Sequence, residues 1–377
     1  MRHVSTCATA ILLVACIATV AAQEGVSKFK LTLGQSVPLS GPAAEIGLET
    51  RIGAQLYFDE INSKGGVFGR DIELKTLDDA NDPARAERNA AELIESDQVL
   101  ALFGLVGTPS AKTIALAART NVPVFGTLSG DQGLRNTGGR NVFNLRASYN
   151  DEIKKLVETL TTIGQTRFAV FLEDSAFGAA GLVAAVQALR AHKIQLVASA
   201  GVKPDSTDVK SAAEVLFKAK PDAILMIASY ASASALVKHG RHLKTPSQFH
   251  AISLVGGKIL ARTLGEAAHG VSVSQVVPSP FSPSVAVVRE YQTLMKKSGK
   301  ADFSFTSLEG YIAAKVLVEA LRRAGKDVTR DKLIEALTSL NDYDAGGFRV
   351  SFSTGNRNNL NNFVELTLIG RGGTFLK

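Results

Sequence analysis

His239 and His242, three residues apart with Lys238 and Arg241 around them, are the one spaced pair among the six histidines of the chain. A zinc site needs a third or fourth ligand that this segment lacks, and the neighbouring cations oppose a metal, so the pair reads as a solvated helical face. Asp78-Asp79-Ala80-Asn81-Asp82-Pro83 carries the oxygen donors of a calcium loop without its glycine and distal glutamate. The proline placement fits a strand end followed by a helix cap. Gly126-Thr127-Leu128-Ser129-Gly130 has its serine one place late for a nucleophile elbow. Gly65-Gly66-Val67-Phe68-Gly69 follows a helix instead of a strand, which makes it a turn and not a dinucleotide loop. No catalytic group, metal or cofactor is expected.

What remains is a set of small, hydroxyl-bearing loops: Ser40-Gly41-Pro42, Gly107-Thr108-Pro109-Ser110 and Thr127-Leu128-Ser129-Gly130. Each falls where a strand is expected to meet a helix. In an open parallel sheet, ligands bind beyond the carboxyl ends of the strands. Helix N-termini there offer unpaired amides and partial positive charge, and hydroxyls add donors, so a carboxylate is the natural guest. Capping of the following helix is the competing role for each hydroxyl.

The elements that must position these loops alternate short β-rich runs with longer helical stretches, the α/β pattern. Strands are expected at 29–37, 71–77, 99–103 and 122–125, with helices over 42–62, 83–96 and 109–119 between them. The rhythm restarts near Asn150, with strands at 167–172, 194–200, 223–227 and 271–277. From Ser284 to Leu340 the character is nearly all helix; one segment opens with Thr306-Ser307-Leu308-Glu309, read as a capping box, and closes at Gly325. Such helices more readily cover the first sheet than form a lobe of their own, so the chain is expected to cross between lobes near residues 147, 278 and 346. The tail, 347–352 and 363–368, is expected to supply strands to the second lobe. The lobes are therefore residues 23–147 with 279–345 and residues 148–278 with 346–377.

A length of 377 residues suits two domains at about 150 residues each. The net charge of +7 is scattered, its densest groups being pairs such as Arg322-Arg323 and Lys296-Lys297. With no basic helix or aromatic-interleaved patch, nucleic acid is not an expected partner. Residues 1–22 read as an export signal: Arg2 and His3 lead, Ala8 to Val20 is apolar, and Val20-Ala21-Ala22 ends it, so the mature chain begins at Gln23 in the periplasm. Leu13-Val14-Ala15-Cys16 offers a lipoprotein signal as the alternative, disfavoured because the apolar run continues past Cys16. Both cysteines, Cys7 and Cys16, lie in this segment, so a mature chain from Gln23 has no disulfide, thiol nucleophile or thiolate metal ligand.

Pro38-Leu39-Ser40-Gly41-Pro42, the Gly65-to-Arg70 turn, Asp78-Asp79, Gly107-Thr108 and Phe177-Gly178, taken in order, resemble the leucine/isoleucine/valine-binding protein family, type I periplasmic solute receptors of ABC importers. The resemblance covers the whole mature chain. It implies an α/β, type I periplasmic-binding-protein fold: two Rossmann-like lobes joined by a three-crossing hinge and closing over one small molecule. It further implies that Thr108 holds the ligand carboxylate, with Leu128, Ser129 and Gly130 in a second contact loop beside the Ser40 loop. Ile46 takes the place of the family's aromatic near the first helix, Phe177 that of its second-lobe tyrosine, and Tyr230 approximates another aromatic wall. The family's acidic residue, which pairs with a ligand ammonium, falls at Ser253 with no carboxylate expected nearby. Burying an ammonium without a partner costs several kcal/mol. The guest is accordingly expected to be an amine-free keto or aromatic acid, unless Glu173 or Asp174 reaches across.

Three functions follow as expectations: a monomeric receptor handing solute to an inner-membrane permease, a sensor presenting its closed form to a membrane receptor, and, least of all, an exported enzyme.

Overall fold

The structure is a computed structural model that describes residues 24–137, 139–299, 301–352 and 361–377. The segment read as an export signal, residues 1–22, lies outside the described residues. No helix among the described residues is long and apolar enough to cross a membrane.

The first half runs β1 (Lys30–Val37), α1 (Ala44–Ser63), β2 (Asp71–Asp78), α2 (Pro83–Ala91), β3 (Ala101–Phe103), α3 (Ser110–Arg119), β4 (Val124–Phe125), α4 (Gln132–Thr137) and β5 (Val142–Phe143). These strands form one parallel sheet in the order β2-β1-β3-β4-β5. The chain then passes into α5 (Tyr149–Thr162), β6 (Phe168–Glu173), α6 (Ala176–Ala191), β7 (Ala198–Val202), α7 (Lys210–Lys218), β8 (Ala223–Ile227), α8 (Tyr230–His242), β9 (Gln248–Ala251), α9 (Gly257–Leu264) and β10 (Ser272–Gln275). It returns through α10 (Ala286–Lys297), α11 (Phe305–Ala324), α12 (Arg330–Thr338), β11 (Tyr343–Asp344) and β12 (Arg349–Val350), and ends in β13 (Glu365–Ile369) and β14 (Phe375–Leu376). The second sheet has the order β14-β13-β10-β9-β8-β6-β7, antiparallel only at its β13 and β14 end.

Strands buried on both faces read as unbroken apolar runs, as in Ala-Ile-Leu-Met-Ile of β8, because helices cover both sides of a parallel sheet. Edge strands alternate instead, as β7 does. α11 is the main cover of the first sheet: Tyr311 meets Tyr57 edge-on at 5.1 Å, while Phe58 packs on Phe103 at 5.5 Å. α1 and α11 cross so closely that a Cβ at Gly53 would overlap the Ser307 carbonyl oxygen, and one at Gly310 the Thr50 carbonyl oxygen.

Three expectations are corrected. The segment 347–352 does not join the second sheet: β12 pairs with β11 in a separate hairpin, and Phe348, Val350 and Phe352 pack into the first core. The third crossing therefore follows Phe352, later than the expected 346. α11 begins at Phe305, with Ser304 as its cap accepting from the Ser307 N–H, so Thr306 and Glu309 form no capping box. Asp82 does cap α2, accepting from the Arg85 N–H at 2.7 Å with Pro83 in the first turn.

β9 also buries His250, whose Nδ1 lies 2.6 Å from Ser272 Oγ while Nε2 has no partner. Burial pulls this imidazole down to about 4, against about 6.5 in an unfolded chain. Below pH 6.5 the unfolded chain binds a proton that the folded chain refuses. Stability is therefore untouched above that value and falls by about 3 kcal/mol as the pH drops toward 4. Urea unfolding of His250→Gln should show a loss between pH 7 and pH 4 smaller than wild type by that amount; parallel curves would contradict it.

Candidate functional site

The carboxyl ends of both parallel sheets face each other across a cleft of about 360 Å³. In the first sheet the strand order reverses between β1 and β3, and in the second between β6 and β8. Each reversal leaves a crevice beyond the strand ends, because the following helices leave on opposite faces. The cleft walls come from these places: Pro42 and Ala43 after β1, Val106 to Pro109 after β3, Glu173 at the end of β6 with Ser175 to Phe177 after it, and Ser229 and Tyr230 after β8. Asn81, Asp205 and Leu254 add to the rim from the neighbouring loops.

The two walls differ electrically. On the first, the N-terminus of α3 has no side-chain cap, and Thr108 stands beside it. Its leading N–H groups, of Ser110 and Ala111, donate to the Gly107 and Thr108 carbonyls at 3.4 and 3.0 Å, and its partial positive charge faces the cleft. On the second, Glu173 sits at the end of β6, and its Oε1 accepts from the backbone N–H groups of Asp205 and Ser229, each at 3.0 Å, and from Ser232 Oγ at 3.1 Å. The start of α8 is thus already matched by a carboxylate. Between the walls lie the apolar surfaces of Ile46, Phe177, Tyr230 and Leu254, with Phe177 held edge-on by Tyr149 at 5.3 Å.

Of the residues singled out from the sequence, Ile46, Thr108, Phe177 and Tyr230 line this cleft. Leu128 and Ser253 line a small annex of about 10 Å³ behind it, which shares Ile46 and Leu254 with the main cavity. Ser40, Ser129 and Gly130 line neither space. The Ser40 hydroxyl donates to Asp78 Oδ2 at 2.6 Å; the Ser129 carbonyl accepts from Arg135, and the Gly130 carbonyl from the Tyr149 N–H at 2.8 Å. In these contacts all three support the loops behind the cleft. Glu173, named beforehand as an acid that could reach the ligand, lines the cleft from the end of β6; Asp205 and Asn81 line it too, and the ligand expectations placed neither. Both lie in loops just beyond strand ends, which is the signal that could have found them.

Ser253 is not without a carboxylate neighbour, contrary to expectation. Its N–H donates to Glu152 Oε2 at 2.7 Å and its hydroxyl to Glu152 Oε1 at 3.0 Å. Arg146 also donates to Ser253 Oγ and stands 3.7 Å from Glu152 and 3.6 Å from Glu309. Arg146 and Glu152 are almost fully buried, at the first crossing between the lobes. Burial pushes the Glu309 carboxyl up against the pull of Arg146. At the rim, α9 meets α1: Lys258 pairs with Glu49 at 2.9 Å and with Asp302, while Arg262 pairs with Glu45.

Over residues 30–368 the sequence matches the family described as periplasmic binding protein. It is 28% identical over 352 residues to Leu/Ile/Val-binding protein homolog 7 of Brucella suis, covering 87% of this chain and 86% of that protein. Among solved structures, a possible leucine/isoleucine/valine-binding protein from Rhodopirellula baltica superposes with a TM-score of 0.87 at 31% identity, covering 95% of this chain and 98% of the other. A substrate-binding periplasmic protein from Ralstonia solanacearum gives 0.86 at 32% identity over 92% of this chain and 99% of its own.

Proposed function

Because the chain belongs to the periplasmic binding protein family, we propose that it is the solute receptor of an ABC importer and that its lobes close over a small carboxylate with a compact apolar body. The observation that carries this reading is the side-chain-uncapped N-terminus of α3 beside Thr108, opening into a cleft whose middle is apolar. A carboxylate placed there gains the helix field and the Thr108 hydroxyl together. Ile46, Phe177, Tyr230 and Leu254 then exclude water from its side chain. Closure follows because such a guest touches both lobes and so stabilises the closed form more than the open one.

The names of the relatives point to aliphatic amino acids; the case for amine-free keto or aromatic acids loses its support at Ser253, which has Glu152 beside it. Both are small carboxylates, and the first wall serves either. Calorimetric titration of the full chain with branched-chain and aromatic amino acids and their keto acids should give saturable binding by at least one class. Thr108→Val should weaken that binding about tenfold, the value of one hydrogen bond to a charged group. Binding that survives esterification of the carboxylate, or is indifferent to Thr108→Val, would overturn the assignment.

A further inference from the structure

We infer that the end of the second lobe farthest from the cleft docks on an anionic phospholipid surface, through cations that folding gathers there and leaves without acid partners. The inference is independent of which solute the cleft takes.

The carboxyl ends of the second sheet's parallel strands face the cleft, so the turns that precede those strands form the opposite end of the lobe. These are 163–167, 190–195, 218–222, 241–248 and 265–271, with 370–373 beside the start of β10. Together they hold eight Lys and Arg against two Asp and Glu. α6, α7 and α8 all end here in the same way. One residue past the helix cap, Lys193, Lys220 and Lys244 adopt φ of 59°, 47° and 53°. Their N–H groups close the last turns on the carbonyls of Arg190, Phe217 and Arg241 at 3.0, 3.0 and 3.1 Å. This left-handed position favours glycine, which α1, α5 and α10 place there as Gly65, Gly164 and Gly299. The helix dipole accounts for cations within the last turn, such as Arg190 and Lys218, and its effect fades beyond it. It does not explain why three helices in a row give a glycine position to lysine.

The second lobe's ion pairs lie elsewhere, at Lys154, Lys258, Arg262 and Lys377, so among the described residues none of the eight cations is paired. Arg167 and Arg241 donate to the carbonyls of Lys220 and His269, both at 2.9 Å, which fixes the guanidinium groups without cancelling their charge. Asp222 is committed to the N–H groups of Thr166 and Arg167, both at 2.9 Å, and leaves Glu266 to offset the field. The matching end of the first lobe instead pairs Lys30 with Glu73, Lys64 with Glu60 and Arg140 with Asp331. Ile163 and Leu243, the caps of α5 and α8, stand among the unpaired cations with 65% and 55% of their surface exposed. Cations attract phosphate headgroups, and aliphatic side chains between them enter the interfacial layer. A soluble polyanion would use the charge but not the two aliphatics, which favours a bilayer. Docking here leaves the cleft, at the other ends of the same strands, open to solution.

The test is co-sedimentation of the chain from Gln23, which keeps every described residue and omits the apolar segment 8–20 that would itself enter lipid. Vesicles of equal parts phosphatidylglycerol and phosphatidylcholine should bind it at least about tenfold more tightly than phosphatidylcholine alone, and about 0.5 M salt should abolish the difference. Lys193→Gly, Lys220→Gly and Lys244→Gly combined should weaken binding to the anionic vesicles at least about tenfold, with the fold kept because glycine suits that backbone. Ile163→Ser with Leu243→Ser should weaken it by a smaller factor. An equal loss from Lys28→Gln, Lys112→Gln and Lys326→Gln on the first lobe would mean that net charge alone acts, and would overturn the inference. So would equal binding to both kinds of vesicle, or capture by immobilised heparin with none by vesicles.

Discussion

Arg146→Met is expected to lower the unfolding free energy by about 3–5 kcal/mol, because it strips two buried carboxylates of their shared counter-ion. Arg146 is 2% exposed and stands between Glu152 on α5 and Glu309 on α11. Glu152 keeps some support from Ser253 and Ser274 Oγ, the latter at 2.6 Å. Among the described residues, Arg146 is the one cation paired with Glu309. The methionine fills most of the volume, so the loss is electrostatic more than steric. Replacing Glu152 and Glu309 by methionine as well should recover much of it, since an apolar trio carries no desolvation cost. Urea unfolding reads both results, and a single-variant loss under about 1 kcal/mol would show that water or rearrangement neutralises the acids.

A comparable loss, about 3 kcal/mol, is expected for Gly53→Val. Overpacking a core typically costs about 1–3 kcal/mol, and here the obstacle is a backbone carbonyl that cannot rotate away. Valine at this position must push α1 from α11, opening the layer that holds Phe58, Tyr57 and Tyr311. Because α1 also carries Ile46 into the cleft and Glu45 and Glu49 to the rim, ligand affinity should fall with stability. A variant with the wild-type unfolding midpoint would mean that the two helices are free to slide apart.

The alternating runs made the two parallel sheets legible because their inner strands are apolar throughout: β8 stands where it was expected, and β3 and β6 differ by a residue or two. What failed was polar or short. β9 carries Gln248 and His250 and offers no apolar run, and the start of the edge strand β7 was placed four residues early, at Ile194 instead of Ala198. That shift moved its carboxyl end away from Asp205 and hid a cleft residue. The Thr108 loop was legible from the strand end it follows, and Ile46, Phe177 and Tyr230 only through the resemblance to the binding-protein family. The orientation of Ser40 and Ser129 was not, since it depends on hydrogen bonds to Asp78 and to the backbone about Asp131. Nor could spacing reveal that Glu152 meets Ser253 from 101 residues away.

The interleaving of the two lobes also fixes when the molecule can become solid. α11, at the centre of the first core, spans Phe305–Ala324, and the second sheet receives β13 only at Glu365–Ile369. No N-terminal fragment emerging from a ribosome contains a finished lobe, because each lobe waits for elements supplied across a long stretch of chain. Both lobes therefore reach their final form only once the last strands arrive, and they set together.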